Sequence, residues 1–133
     1  MFVFCAPSAD TPTILLVEEL EPLCSWLKFN LESAGLLVLH AADYNEALLI
    51  SASHAGSIDL LLTSMRLPGL SGPVLAFLLR VRRPHMAALY MSKNLAEMME
   101  MPDAKEFIAS LLPRPFSREI LLRRVSVLLS AHA

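Results

Sequence analysis

The sequence predicts an α/β domain, a doubly wound five-stranded parallel sheet, on three observations. Short apolar runs without polar alternation, TILLV, LLVLHA, IDLLLT and MAALYM, recur along the chain, as strands buried on both faces require. Between them the apolar spacing changes to the helical period. Finally, 133 residues, 55% of them hydrophobic, suffice for one domain with one core. Strands and helices that alternate in this way satisfy each other only when every crossover helix packs back onto a parallel sheet.

Residues 1 to 12 read as a loose lead-in ending at Pro12, and 13 to 133 as the domain. Thr13 to Val17 is the first strand, breaking into the polar pair Glu18 and Glu19. Leu20, Leu23, Leu27, Leu31 and Ala34 recur at helical spacing, with Pro22 tolerated in the first turn and Gly35 as the stop. Leu36 to Ala41 is the second strand. Asp43 and Glu46 stand at capping-box spacing before a helix that runs to about Ser53. Ile58 to Thr63 is the third strand, and Ser64 to Gly72 is a loop punctuated by Pro-Gly and Ser-Gly pairs. Pro73 opens a third helix, which Pro84 closes. Met86 to Met91 is the fourth strand, Asn94 to Met101 a short fourth helix ended by Pro102, and Ile108 to Leu112 the fifth strand. Ser117 caps the last helix. In such a sheet the functional crevice lies beyond the carboxyl ends of the strands, which collects Glu18, Glu19, Ser64 and Ser92 at one edge.

Composition narrows the function classes. A net charge of -2 lacks the positive excess that neutralises a phosphate backbone, so nucleic acid is not an expected partner. Mean hydropathy is +0.53, yet the longest strictly apolar run, Pro73 to Leu79, is far shorter than the ~18 to 20 residues that span a bilayer. No membrane association is expected. Cys5 and Cys24 sit in no metal or redox spacing, so a reducing, cytoplasmic setting is the expectation. His40, His54, His85 and His132 are scattered and form no ligand set with the cysteines. No metal site is expected. The methionines around the fourth helix read as core filler.

From Thr13 to about Leu129 the chain resembles a response-regulator receiver domain of two-component signalling. The segments that carry the resemblance, in register, are ILLVEE, ESAG, AADYNEAL, DLLLTSMRLPGLSG, ALYMS and LLPRPFS. The resemblance implies the flavodoxin-like receiver fold with strand order 2-1-3-4-5, and a phosphoacceptor aspartate four residues before the loop proline. Pro68 puts Ser64 at that position. A carboxylate attacks a metal-bound phosphoryl group and forms a labile acyl phosphate, whereas a hydroxyl is un-ionised near neutral pH and needs an adjacent base. The family's acidic pair, which holds Mg²⁺, corresponds to Glu18 and Glu19, the second a methylene longer than the usual aspartate. With Ser64 removing a further carboxylate, octahedral Mg²⁺ coordination is not expected, and no cofactor is implied. The family's lysine corresponds to Arg114, a planar fork in place of a point charge. The switch hydroxyl is Ser92, and the aromatic switch position holds Leu111. By the same resemblance, Arg114-Pro115 is expected to be cis.

No catalysis is expected from these residues. Glu18 and Glu19 read as a solvated acidic edge near Arg114, and the Ser64 and Ser92 hydroxyls as groups satisfying loop backbone. No G-x-S-x-G elbow surrounds either serine. The function this implies is a receiver-like module, not an enzyme, that escapes phosphorylation and acts by binding signalling proteins such as a histidine kinase or another regulator. The alternatives are a phosphorylatable receiver with an atypical site and a module that holds a small anion or nucleotide against Arg114. The last helix is apolar over a wide arc that includes Ile120 and Val127, and it carries Arg123 and Arg124 opposite the acidic Glu97 and Glu100. That face is a candidate for a partner or a homodimer. A second candidate patch is Trp26 with Phe29, off the buried stripe of the first helix.

Overall fold

In the computed structural model, which describes residues 11–93, 96 and 110–131, the chain begins with β1 (Thr13–Val17), α1 (Glu21–Ser33), β2 (Leu37–Ala41) and α2 (Tyr44–Ser53). It continues through β3 (Leu60–Ser64), a small hairpin of β4 (Arg66–Leu67) and β5 (Leu70–Ser71), and α3 (Gly72–Arg80). It closes with β6 (Ala87–Ser92), β7 (Leu111–Pro113) and a C-terminal helix (Arg118–Ala131). The main sheet is parallel in the order β2-β1-β3-β6-β7, which is 2-1-3-4-5 once the hairpin is set aside.

Both faces of the central strands are buried, as their unbroken apolar runs predict. Ile14, Leu16, Leu60 and Leu62 face Leu27 and Leu31 of α1 and Leu121 and Val125 of the C-terminal helix. Leu15, Leu61 and Tyr90 face Ala47 of α2 and Leu75 and Leu79 of α3. The expected helix signals operate. Gly35, at φ 93°, ends α1 with Leu36 N–H donating to Leu31 O and Gly35 N–H to Glu32 O, the Schellman pattern. The Asp43 carboxylate accepts from Glu46 N–H (2.9 Å), and the Ser117 hydroxyl from Ile120 N–H (3.2 Å).

Several boundaries differ from expectation: β2 starts at Leu37 rather than Leu36, β3 at Leu60 rather than Ile58, and β6 spans Ala87–Ser92 rather than Met86 to Met91. β3 runs through Ser64, because the Ser64 backbone still pairs with β6 opposite Met91. The loop after it contains the hairpin, turned by Pro68 and by Gly69 at φ 81°, the residue pairing of a type II turn. α3 ends at Arg80, short of Pro84. Its end coincides with a side-chain tie: the Arg83 guanidinium donates to Ser51 O, His54 O and Gly56 O, pinning the α3–β6 turn to the end of α2. The fifth strand is Leu111–Pro113 rather than Ile108 to Leu112, with Tyr90 opposite Leu111. Ile108 and the expected fourth helix, except position 96, lie outside the described residues, as do Glu97 and Glu100 and most of the lead-in.

Candidate functional site

β1 and β3 are neighbouring parallel strands, so their carboxyl ends emerge side by side and bring Glu18 next to Ser64. β6 ends at Ser92, whose carbonyl accepts the Arg114 amide (2.8 Å), and Arg114-Pro115 is cis as expected. The residues assemble around a cleft of about 320 Å³ lined by Glu18, Glu19, Ser64, Arg66, Ser92, Lys93 and Arg114, among others. The sequence-predicted positions are therefore brought together, save Leu111, which lies beneath the site, buried in the second core layer.

Glu18 dominates the geometry. It is 3% exposed, and its Oε1 accepts from both the Ser64 hydroxyl (2.8 Å) and Arg114 Nη2 (2.5 Å). Arg114 Nη2 also donates to Ser64 Oγ (3.1 Å), closing a three-membered network. Glu18 Oε2 accepts the backbone amides of Glu19 (2.9 Å) and Leu20 (3.3 Å). Both carboxylate oxygens are thus engaged, one by a cation and a hydroxyl, the other by two amides.

This corrects two expectations. Glu18 is no solvated edge: it is buried, whereas Glu19, the next residue, is exposed and also lines the cleft. The Ser64 hydroxyl serves the Glu18 and Arg114 side chains rather than loop backbone.

Sequence spacing also missed a second clamp. Cys24 Sγ donates to Glu18 O (2.8 Å), and His40 Nε2 lies 3.1 Å from that carbonyl and 3.1 Å from Cys24 Sγ. The two stand 16 positions apart, one on α1 and the other on β2. No motif announces their meeting. Two side chains and a carbonyl fall short of a metal set, and the described residues contain no group of three such ligands.

Burial, reinforced by the Glu18 and Glu21 charges, pushes the Cys24 thiol up to about 11. Near pH 8 only about one thiol in a thousand is then the reactive thiolate. We expect Cys24 to escape iodoacetamide at that pH in the folded protein and to react once it is unfolded in urea, as read by peptide mass mapping. Labelling of native Cys24 as fast as a free thiol would contradict the buried clamp.

Gly72 allows the loop to turn back beneath the site. Its amide donates to Met65 O (2.7 Å), and a Cβ there would lie 2.5 Å from Ser64 O and 3.1 Å from Tyr90 Cδ1. Because the nearest obstacle is backbone, Gly72→Ala must displace the Ser64 strand end. A loss of about 1–3 kcal/mol in urea unfolding is expected.

The proposed partner faces fare differently. Trp26 packs on Phe116 with ring centroids 5.9 Å apart at a tilted 58°, whereas Phe29 is 70% exposed. Ile120, Arg123 and Val127 are exposed on the C-terminal helix. Arg124, expected to face a partner, instead donates to Leu111 O (3.0 Å) and ties the helix to β7.

The fold and its strand order match solved structures. A response regulator receiver domain protein from Clostridium thermocellum is 26% identical, with a TM-score of 0.78 over 90% of this chain and 95% of that one. A response regulator receiver protein from Sinorhizobium medicae WSM419 is 26% identical, with a TM-score of 0.76 over 95% of this chain and 100% of that one. The chain has the receiver fold. The signal receiver domain of an HD domain-containing protein from Pseudomonas fluorescens Pf-5, 22% identical, shares that fold with a TM-score of 0.76 over 92% of this chain and 98% of that one. No family model matches the sequence, and no curated protein matches it. Arg114 stands in the cleft beside the carboxylate of Glu18. No helix among the described residues is long and apolar enough to cross a membrane.

Proposed function

We propose that this receiver-fold chain is a two-component signalling module that does not take up a phosphoryl group and acts by binding other signalling proteins. The observation that carries the reading is the sharing of Glu18 Oε1 between Ser64 and Arg114. A receiver uses its strand-end carboxylates to hold Mg²⁺ against a phosphoacceptor carboxylate. Here the acceptor is a hydroxyl, and that hydroxyl already donates its hydrogen to Glu18. The residues present do not fit the metal. Glu18 has both oxygens committed, the second glutamate is exposed, and the Arg114 guanidinium already supplies positive charge where the ion would meet the carboxylate.

Partner contact then falls to the outer surfaces. The exposed Ile120, Arg123 and Val127 on the C-terminal helix, and the apolar hollow of about 280 Å³ formed by Leu23, Trp26, Pro115 and Phe116 beside Arg114, are the surfaces we assign to a kinase or regulator. The hollow shares Arg114 with the cleft, so a partner seated there touches the residue that holds the site closed.

The test is an amide NMR titration with Mg²⁺ and beryllofluoride, the phosphoryl mimic. The Glu19, Ser64 and Ser92 amides are expected to stay in place, and saturable shifts there would sink the proposal. A second reading, a small anion held in the cleft, draws on Lys93 and Arg66 at its rim. It requires those same amides to shift with inorganic phosphate alone.

A further inference from the structure

α3 is apolar on both sides. Leu75, Ala76 and Leu79 are buried against the sheet, but Val74, Phe77, Leu78 and Val81 follow the same i, i+3, i+4, i+7 spacing on the outer side, with Phe77 67% and Val81 74% exposed. One buried stripe is enough to hold a helix to a sheet, and the second stripe is exposed among the described residues. It continues across a groove of about 400 Å³ whose walls include Leu48 and Ala52 of α2 and Leu78 and Val81 of the α3 side. Beyond the groove Leu49 is also exposed.

The charges around this face are arranged at opposite ends. Both helices are crossovers in a parallel sheet, so their N-termini lie together at the carboxyl edge of the strands. At that end the exposed carboxylates Asp43 and Glu46 outnumber the exposed Arg66 of the hairpin. At the other end, about 15 Å away by the rise of the ten-residue α2, stands the exposed Arg82. A face with an acidic end, an apolar middle and a basic end complements itself under a two-fold axis. Turned antiparallel, each acidic end meets the basic end of the other copy, while the Phe77 stripes pack together.

We infer that the outer face of α2 and α3 is a homodimer interface, in which Val74, Phe77, Leu78 and Val81 of two antiparallel copies pack together and Glu46 of each copy pairs with Arg82 of the other. The surface is separate from the Glu18–Arg114 site and from the C-terminal helix, so the inference does not depend on whether the site can be phosphorylated.

Sedimentation equilibrium of the whole chain tests it. The unmodified protein is expected to dimerise with a dissociation constant on the order of micromolar. Phe77→Asp, an exposed position, is expected to leave the circular dichroism unchanged and to weaken the dimer by roughly a hundredfold or more. Glu46→Arg and Arg82→Glu are each expected to weaken it about tenfold. An equimolar mixture of those two variants restores both charge pairs at once, so it is expected to form heterodimers at close to the original affinity. A monomer at every concentration up to about 200 µM overturns the inference. So does a dimer that survives Phe77→Asp but is lost with Ile120→Asp and Val127→Asp, which places the interface on the C-terminal helix. Failure of the mixture to recover overturns the antiparallel pairing.

Discussion

Incubation with acetyl phosphate and Mg²⁺ is expected to leave the mass of this chain unchanged. Ser64 has no free base to accept its proton: Glu18, which accepts its hydrogen bond, is already engaged by Arg114 and by two backbone amides. A serine ester would also lack the lability of an acyl phosphate. Ser64→Asp by itself is expected to recover little labelling. The new carboxylate would enter a pocket where Arg114 already binds the Glu18 carboxylate and the neighbouring Glu19 is exposed. Adding Arg114→Lys and Glu19→Asp to that variant is expected to raise labelling well above the single substitution. A stoichiometric gain of one phosphoryl group by the unaltered chain would overturn the proposed function, and rapid labelling of Ser64→Asp alone would show that Arg114 and Glu19 matter less than their geometry implies.

The largest stability effect is expected from removing the cation. Arg114→Met leaves the Glu18 carboxylate buried with only a hydroxyl and two amides for partners. Losing one member of a fully buried pair costs about 3–5 kcal/mol, and because Arg114 retains some solvent contact we expect about 2–3 kcal/mol here. Glu18→Gln in the Arg114→Met background removes the uncompensated charge, and the new amide oxygen can still accept from the Ser64 hydroxyl. The double variant is therefore expected to be more stable than Arg114→Met alone, with a coupling of about 1–2 kcal/mol in a double-mutant cycle read by urea unfolding. Additive losses would mean that the two side chains do not act as a pair.

The sequence by itself determined the architecture. Strands buried on both faces must be apolar throughout, so TILLV and DLLLT carry their assignment without reference to anything distant. The ends of helices are local as well: Gly35, Asp43 and Ser117 satisfy backbone groups within a few residues of themselves, and each acts where its pattern indicated. The membership of the site was legible too, since the strand ends collect Glu18, Ser64 and Ser92 and the resemblance to receivers adds Arg114.

Only the tertiary structure decided what those residues do to one another. Glu18 and Glu19 are indistinguishable as neighbours in sequence, yet one is buried and the other exposed, because Glu18 meets Ser64 and Arg114, which other elements bring to that point. The bonds that commit Glu18 join it to Ser64, 46 positions away, and to Arg114, 96 positions away. The Cys24–His40 clamp depends on α1 lying against β2. In α3 the spacing of Val74, Phe77, Leu78 and Val81 is as helical as that of its buried stripe, so periodicity identifies a helix but leaves open which of two apolar faces meets the sheet. Long-range contacts and the choice between equivalent faces depend on where other elements pack, and that is information no local pattern contains.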